Sequence, residues 1–298
     1  MNVIKIGTRK SKLACVQAEA VAEYIRKNVE GGQAELVKVV TTGDKVLNKK
    51  LDEVGSKGMF VKELDIALLN GDTDLSVHSL KDMPMEISPK LPVLGYSRRE
   101  DARDVLVLPP GVSVYDGHLP IGSSSNRRIS QLRKLYPGAG IKTVRGNVLT
   151  RLEKLDAGEY GALVLAAAGL KRLGLEHRIS RYFSVEEMIP AAGQGILCVQ
   201  GREGEDFRYL QGLFDPEAEI CARAERAFMS YLNGGCSLPV GVYAEVFEED
   251  SGKRQISIRG LYARECLGTA KTLCMTGKAD APEALGVRLA RALKEIAG

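Results

Sequence analysis

The sequence predicts an α/β protein with two α/β lobes and a small α+β domain at its C-terminal end. Short apolar strands alternate with amphipathic helices as far as Val199, which is typical of parallel sheets covered by helices. The stretches 6–11 (Ile-Gly-Thr-Arg-Lys-Ser) and 121–128 (Ile-Gly-Ser-Ser-Ser-Asn-Arg-Arg) resemble each other, which indicates two similar lobes. From Gly241 onward the pattern changes to β-strands separated by turns.

Composition narrows the classes of protein. The 298 residues are enough for two or three domains, and a net charge of +4 is too small to indicate a nucleic-acid partner. Trp is absent and no apolar run is long enough to span a bilayer, so we expect neither nucleic acid nor membrane as a partner. The six cysteines form no C-x-x-C pair and the first residues do not resemble a signal peptide, so we expect a cytoplasmic protein with reduced thiols. We further expect a monomer and no metal.

The first lobe begins with a βαβ unit. Val3 to Ile6 is a predicted strand, Ser11 is a natural N-cap for the following amphipathic helix, and Leu36 to Val40 is the next strand, expected to be parallel to the first. In such units ligands bind at the carboxyl ends of the strands, where a helix N-terminus presents free N–H groups. Arg9 and Ser11 occupy this edge, although an arginine there can equally form a surface salt bridge.

Residues 43–58 carry three glycines and no clear period, so we interpret them as a mobile loop or lid. A predicted helix over Met59 to Leu69 and a strand over Leu75 to His78 follow. Because Pro84 prevents helix continuation, Lys81 and Asp82 are predicted to lie on a loop at the carboxyl end of that strand. His78 is interpreted as a packed strand residue rather than a base.

The second lobe shows the same alternation of predicted strands and helices. Arg145 precedes a predicted helix and Arg151 lies in its first turn, where a cation opposes the helix dipole unless an anion is bound. Ile196 to Val199 is predicted to return to the first sheet. The remaining predicted elements are strands over 93–95, 105–108, 141–144 and 160–165, helices over 129–136 and 148–155, and a strand-to-helix junction over 166–172.

The third domain starts with a helix capped by Asp215 and Pro216. That helix ends at a Gly-Gly turn that delivers Cys236, and a thiol on such a turn is accessible for covalent attachment. The alternative is an inert small residue in a tight turn. Strands over 241–247, 255–261 and 269–275 and a helix over 282–296 complete the domain. The predicted domains are 1–98 with about 196–213, 99–195, and 214–298.

Five stretches together resemble the porphobilinogen deaminase family, also called hydroxymethylbilane synthases, almost from end to end. The motifs in order are Gly-Thr-Arg-Lys-Ser at 7–11, Lys-Gly-Met-Phe-Val-Lys-Glu-Leu at 57–64, His-Ser-Leu-Lys-Asp-Met-Pro at 78–84, the arginines with Arg-Gly-Asn-Val across 127–151, and Gly-Gly-Cys-Ser-Leu-Pro-Val-Gly at 234–241. The His-Ser-x-Lys-Asp and Gly-Gly-Cys motifs in this order are highly specific, whereas either one alone is modest support.

The resemblance implies two domains like type II periplasmic binding proteins, a small third domain and a site in the cleft between the first two. It implies that Cys236 holds a dipyrromethane cofactor through a thioether and that Asp82 is catalytic. It implies further that cofactor and substrate carboxylates and hydroxyl ligands are bound by Arg9, Ser11, Lys57, Lys81, Ser123, Ser125, Arg127, Arg128, Arg145, Arg151, Arg172 and Gln194. One departure is Glu53 in the predicted lid, where members of the family carry lysine, which weakens the case for a contact there.

The chemistry of the family suits these residue types. Porphobilinogen loses ammonia and is joined to a growing pyrrole chain, so a fixed carboxylate near the pyrrole N–H groups stabilises the developing positive charge. Arginine suits the acetate and propionate arms because its guanidinium binds carboxylates in a bidentate way. In this reading Arg127 and Arg128 hold the primer.

Two other classes remain open at this point. A non-catalytic binding protein for a small carboxylate predicts the same cleft, but it gives Cys236 no role and normally has an export signal. A cysteine hydrolase needs a base near the thiol, and none of His78, His118 and His177 lies in a motif that indicates such a pair.

Overall fold

The computed structural model describes residues 3–41, 61–232, 238–250, 252–264 and 269–297. The chain divides into two compact units, Met1–Arg99 with Ile196–Glu219 and Glu100–Gly195 with Ile220–Gly298. The described strands form three sheets, two of five strands and one of three. No helix in these ranges is long and apolar enough to cross a membrane.

The first unit is built on a five-stranded sheet of order β2-β1-β3-β10-β4. Its strands are β1 (Ile4–Arg9), β2 (Ala34–Val39), β3 (Leu75–Ser79), β4 (Val93–Tyr96) and β10 (Leu197–Gln200), and its helices are α1 (Lys12–Asn28) and α2 (Lys62–Leu69). Strand β1 is parallel to β2 and β3, whereas β10 is antiparallel to β3 and β4. The predicted parallel βαβ opening and the predicted return of Ile196 to Val199 to this sheet are therefore confirmed.

The second unit contains another five-stranded sheet, of order β7-β6-β8-β5-β9. Its strands are β5 (Asp104–Val107), β6 (Ile121–Gly122), β7 (Ile141–Lys142), β8 (Ala162–Ala166) and β9 (Arg181–Tyr182). The helices between them are α3 (Asn126–Leu135), α4 (Val148–Asp156) and α5 (Ala167–Arg172). Strand β6 is parallel to β7 and β8, and β5 is antiparallel to β8 and β9.

The two sheets follow one pairing scheme. In each, a strand with a parallel neighbour on both sides carries the Ile-Gly dipeptide, as Ile6-Gly7 in β1 and Ile121-Gly122 in β6. A Cβ atom at Gly122 would lie 2.5 Å from Leu163 Cδ2 and 2.9 Å from Tyr160 Cδ1, so a larger residue would require these side chains to move. The prediction of two similar α/β lobes is confirmed.

The rest of the second unit is an α+β assembly. Helices α6 (Pro216–Tyr231) and α7 (Pro282–Ile296) accompany an antiparallel sheet of β11 (Val240–Glu248), β12 (Arg254–Tyr262) and β13 (Lys271–Lys278). The core between them includes Phe228 and Leu289, both fully buried. As predicted, α6 is capped by Asp215, whose Oδ1 accepts the N–H groups of Glu217 and Ala218 at 2.8 and 2.9 Å.

Two local predictions were wrong in detail. Strand β1 does not end at Gly7, because β2 pairs with it as far as Arg9, which lies opposite Val39. Lys81 and Asp82 are not in an open loop but in a short 3₁₀ helix over Leu80–Asp82, which directly continues β3. Both differences place the predicted site residues on more regular backbone than expected.

Candidate active site

In the first unit, the predicted site residues follow the carboxyl ends of two neighbouring parallel strands. Arg9 is the last residue of β1, and Lys81 and Asp82 come directly after β3. Ser11 caps α1, its Oγ accepting the N–H of Ala14 at 3.3 Å. Since β1 and β3 are parallel and paired, these four residues lie at one edge of the sheet.

The turn that carries Asp82 is held by buried neighbours. Leu80 and Met83 are 1% and 4% exposed, and the N–H of Leu80 donates to the Ile196 carbonyl at 3.0 Å. Gln17 Nε2 in α1 donates to Ser79 Oγ at 3.0 Å. Asp82 itself is exposed. Buried contacts thus fix the backbone of the turn, while the Asp82 residue remains exposed.

Sequence reasoning missed Gln17, and a signal was present. Gln17 lies four residues before Val21 on the buried stripe of α1, where an apolar residue is expected. A buried amide must find hydrogen-bond partners, so an isolated glutamine on such a stripe indicates a polar contact beneath it.

His78 is buried in β3, as predicted. Burial lowers the pKa of His78 to about 4, and the nearby charge of Arg9 acts in the same direction against an opposing contribution from the Gln200 side chain. The imidazole is therefore neutral at neutral pH, and protonating it would place a second cation beside Arg9.

We expect His78 to make the protein sensitive to moderate acid. A group whose pKa is depressed from 6.5 to about 4 contributes stability above pH 6.5 and loses it as pH falls toward 4. This shift corresponds to about 3 kcal/mol at most, at roughly 1.4 kcal/mol per pH unit. Urea unfolding between pH 7 and 4 measures this loss of stability. In His78→Asn the free energy of unfolding should depend less on pH than in the wild-type protein. The exposed His118→Asn is the control, and equal curves for both variants would contradict the assignment.

In the second unit the same edge of the sheet gathers the other predicted ligands. Strands β6, β7 and β8 are mutually parallel, and each is followed at its carboxyl end by predicted site residues. These residues are Ser123, Ser125, Arg127 and Arg128 after β6, Arg145 and Arg151 after β7, and Arg172 after β8. Ser125 is the N-cap residue of α3, and its N–H donates to Ser123 Oγ at 3.3 Å.

Arg127 and Arg128 meet a carboxylate that sequence reasoning did not single out. Asp104, at the start of β5, is fully buried. Its Oδ2 lies 2.5 Å from Arg127 Nη1, and its Oδ1 lies 2.7 Å from Arg128 Nη2. Burial alone would raise the pKa of Asp104, but the two guanidinium groups outweigh it and hold the pKa well below its usual range. Burial lowers the pKa of Arg127, and the negative charge of Asp104 partly offsets this lowering.

Gln194 completes this cluster. Its Nε2 donates to Asp104 Oδ1 at 2.9 Å and to the Ala102 carbonyl at 2.7 Å. Arg127 Nη1 also donates to the Ile189 carbonyl at 2.7 Å, and Arg128 Nη1 to the Val164 carbonyl at 3.0 Å. One carboxylate and two guanidinium groups leave the cluster with a net positive charge.

The other arginines are arranged differently. Arg145 and Arg151 are half-buried, and Arg151 Nε donates to the Gly146 carbonyl at 2.8 Å. Arg172 Nη2 donates to the Gly195 carbonyl at 2.6 Å, and burial lowers its pKa. Lys57, Cys236, Glu53 and the predicted lid over 43–58 lie outside the described residues.

Comparison with known proteins identifies the family. A model of the porphobilinogen deaminase dipyrromethane cofactor binding domain matches residues 4–209, and one of the porphobilinogen deaminase C-terminal domain matches residues 219–295. This chain belongs to the porphobilinogen deaminase family. Porphobilinogen deaminase of Ruminiclostridium cellulolyticum is 51% identical over 99% of this chain and 98% of that one, and the Acetivibrio thermocellus protein is 50% identical over 96% of each.

The family resemblance drawn from the five motifs is thereby confirmed, and with it a transferase of tetrapyrrole biosynthesis with a dipyrromethane cofactor binding domain. The solved structure described next is more distant in sequence. The periplasmic aliphatic sulphonate binding protein SsuA of Escherichia coli aligns with a TM-score of 0.42 and 12% identity over 78% of this chain and 71% of that chain. The α/β class with two sheet domains and a small C-terminal sheet is confirmed by the chain's own topology.

Proposed function

We propose that this chain is a hydroxymethylbilane synthase. It joins porphobilinogen units one at a time to a dipyrromethane primer on Cys236, with loss of ammonia at each step, and releases the linear tetrapyrrole by hydrolysis. The observation that carries this proposal is the arrangement of the described ligands of the family at the carboxyl ends of parallel strands, in both sheets. Such edges are where open α/β sheets bind ligands.

The described residues fit a dipyrromethane. Each pyrrole of this group carries two carboxylates, and the strand ends of the two sheets offer six arginines, one lysine and several hydroxyls. When bound, the group supplies the free pyrrole α-carbon to which the next unit is joined. Arg127 and Arg128 would bind its carboxylates through guanidinium N–H groups that remain beyond their bonds to Asp104 and to the Ile189 and Val164 carbonyls.

Asp82 is the proposed catalytic residue. As ammonia leaves porphobilinogen, positive charge develops on the substrate and is shared with the pyrrole nitrogen. An exposed carboxylate on a fixed turn can accept the pyrrole N–H and stabilise this charge without rearrangement. The departing amine and the lost α-hydrogen both require proton transfer, for which a carboxylate at this position is also suited.

The cationic residues have a different role. Arg9, Lys81, Arg145, Arg151 and Arg172 neutralise the carboxylates that accumulate as the pyrrole chain grows. A partly buried carboxylate without a cationic partner costs several kcal/mol. A site in which a polyanion grows therefore needs additional cationic side chains for the carboxylates of the later units.

The intact mass of the purified protein tests the proposal. We expect a covalent dipyrrole adduct on the wild-type protein and on Cys15→Ala and Cys198→Ala, and no adduct on Cys236→Ala. Cys15 and Cys198 are matched controls because both are free thiols in the first unit. An adduct on Cys236→Ala would contradict the attachment site.

The carboxylate-binding protein without catalysis that the sequence left open is not favoured by the family match. It would bind porphobilinogen but release no ammonia, so an ammonia assay with porphobilinogen separates the two. We also propose that the chain acts as a cytoplasmic monomer without nucleic-acid or membrane partners, and that residues 214–298 form a third domain. The separate sheet and core of β11, β12 and β13 support that last proposal.

A further inference from the structure

Glu225 in α6 is a buried carboxylate outside the proposed catalytic machinery. It is 0% exposed, although glutamate is rarely buried without strong partners. Its Oε2 accepts the N–H of Gly193 at 2.6 Å, and its Oε1 accepts the N–H of Ala244 at 2.8 Å. The side chain therefore joins three segments of the second unit: helix α6, the 189–195 segment and strand β11.

The 189–195 segment leads from Glu225 to the arginine cluster. Gly193, the residue held by Glu225, has a φ of +70°, in the region that favours glycine. The next residue, Gln194, donates through Nε2 to Asp104 Oδ1 at 2.9 Å. At the other end of the segment, the carbonyl of Ile189 accepts Arg127 Nη1 at 2.7 Å. The segment thus contacts both Asp104 and one of the arginines that Asp104 orients.

We propose that Glu225 is a positioning residue for the arginine cluster. By holding the Gly193 amide it fixes Gln194, and Gln194 fixes the carboxylate that orients Arg127 and Arg128. In the sequence, helix α6 is followed directly by the residues that carry Cys236. Because Glu225 lies in α6, its side chain fixes the position of this helix relative to Arg127 and Arg128. This inference rests on the proposed function for its link to pyrrole binding.

The first experiment measures the structural link without any cofactor. In a Cys236→Ala background, amide hydrogen exchange is followed in peptides covering 189–195. Glu225→Gln places an NH₂ group against one of two N–H donors and leaves a buried N–H unsatisfied, so exchange there should accelerate about tenfold. Gly193→Ala keeps Glu225 but strains the same peptide, and it should act in the same direction.

The matched control is Asp215→Ala. It removes the N-cap of the same helix and destabilises α6 without touching Gly193. Exchange in 189–195 should remain at the reference value in this variant. If Glu225→Gln does not fold, Glu225→Asp carries the test, because its side chain is one methylene shorter and keeps the charge while losing the reach to one of the two N–H groups.

The second experiment measures the functional link, with Cys236 present. Misplaced Arg127 and Arg128 weaken the binding of the primer's carboxylates, so the fraction of folded protein that carries the dipyrrole adduct should fall about tenfold, while kcat per loaded molecule stays within about twofold. A merely structural defect lowers the amount of folded protein and leaves the loaded fraction of that folded protein unchanged. Asp215→Ala should show that second pattern at most.

Three results would be decisive against the proposal or its basis. Unchanged exchange in 189–195 for a folded Glu225 variant would overturn it, whatever Gly193→Ala shows. Faster exchange with a loaded fraction equal to that of Asp215→Ala would also overturn it and leave Glu225 with a structural role only. A wild-type protein without a dipyrrole adduct would overturn the proposed function instead, and the exchange data would still decide whether Glu225 controls the 189–195 segment.

Discussion

Asp82→Asn should lower kcat by about a hundredfold or more while leaving the protein folded and loaded with cofactor. The substitution is nearly isosteric and removes only the negative charge. If the carboxylate stabilises positive charge that develops as ammonia leaves, the loss falls on the transition state. In that case kcat and kcat/KM should fall together, because the ground-state complex depends on the cations and not on Asp82.

The structure explains why the fold should tolerate this change. Asp82 is exposed, and its turn is fixed by the buried side chains of Leu80 and Met83 and by the hydrogen bond from Leu80 N–H to the Ile196 carbonyl. An exposed substitution away from these contacts changes the free energy of unfolding by about 0.5 kcal/mol or less.

Asp72→Asn is the matched control for Asp82→Asn. Asp72 is also exposed and precedes the same strand, β3, so it carries the same charge change at the opposite end of that strand. Single-turnover measurements on both variants, corrected for the loaded fraction by intact mass, separate chemistry from loading. Near-normal turnover in Asp82→Asn, or an equal loss in Asp72→Asn, would contradict the catalytic role.

The sheet edges could be predicted from the sequence because they depend on local patterns. Apolar runs that end at Gly7, His78 or Gly122 indicate strand ends, and helix caps such as Ser11 indicate where the next helix begins. Parallel pairing then brings those ends to one edge without further information. This reasoning placed Arg9, Lys81 and Asp82 correctly relative to the first sheet, apart from the extra residues in β1 and the 3₁₀ turn.

The partners of the predicted ligands could not be found in this way. Asp104 lies in a run of charged residues that begins at Arg98, and the run itself does not distinguish Asp104 as the charged member that is fully buried. Its partners Arg127 and Gln194 are 23 and 90 residues away in the sequence. They come into contact with Asp104 only in the folded second unit. One signal was available: Asp104 directly precedes the fully apolar strand Val105 to Leu108, where a charge requires a partner.

Arg127 and Arg128 therefore have a second role that their match to the family did not indicate. We expected them to hold the primer, and that assignment stays a prediction. In the structure they also neutralise the carboxylate at the start of β5, next to the central strand β8. Replacing either arginine by alanine would remove a ligand for carboxylates and leave Asp104 partly unpaired. Loss of activity in such variants cannot be assigned to primer binding without a measurement of stability.

Asp104→Asn should destabilise the protein by about 3 to 5 kcal/mol, because two buried guanidinium groups would lose their counter-charge. The asparagine can keep one oxygen acceptor, but its NH₂ group would face an arginine N–H or Gln194 Nε2, which are also donors. Since globular proteins have about 5 to 15 kcal/mol of net stability, this change is a large fraction of the total.

The measurement is urea unfolding at pH 7, with Asp101→Asn as the control. Asp101 also pairs with an arginine, at 2.7 Å from Arg103, but that arginine side chain is 43% exposed, so its loss should cost about 1 kcal/mol or less. The wild-type contribution of Asp104 should disappear in acid, since its pKa is depressed in the folded state: it is present above about pH 4 and is lost as pH falls further. The difference in the free energy of unfolding between the wild-type protein and Asp104→Asn should therefore become smaller below pH 4. This pH range lies below the one in which protonation of His78 lowers stability. A small loss of stability at pH 7, equal to that of Asp101→Asn, would mean that the arginines do not depend on Asp104 for their burial.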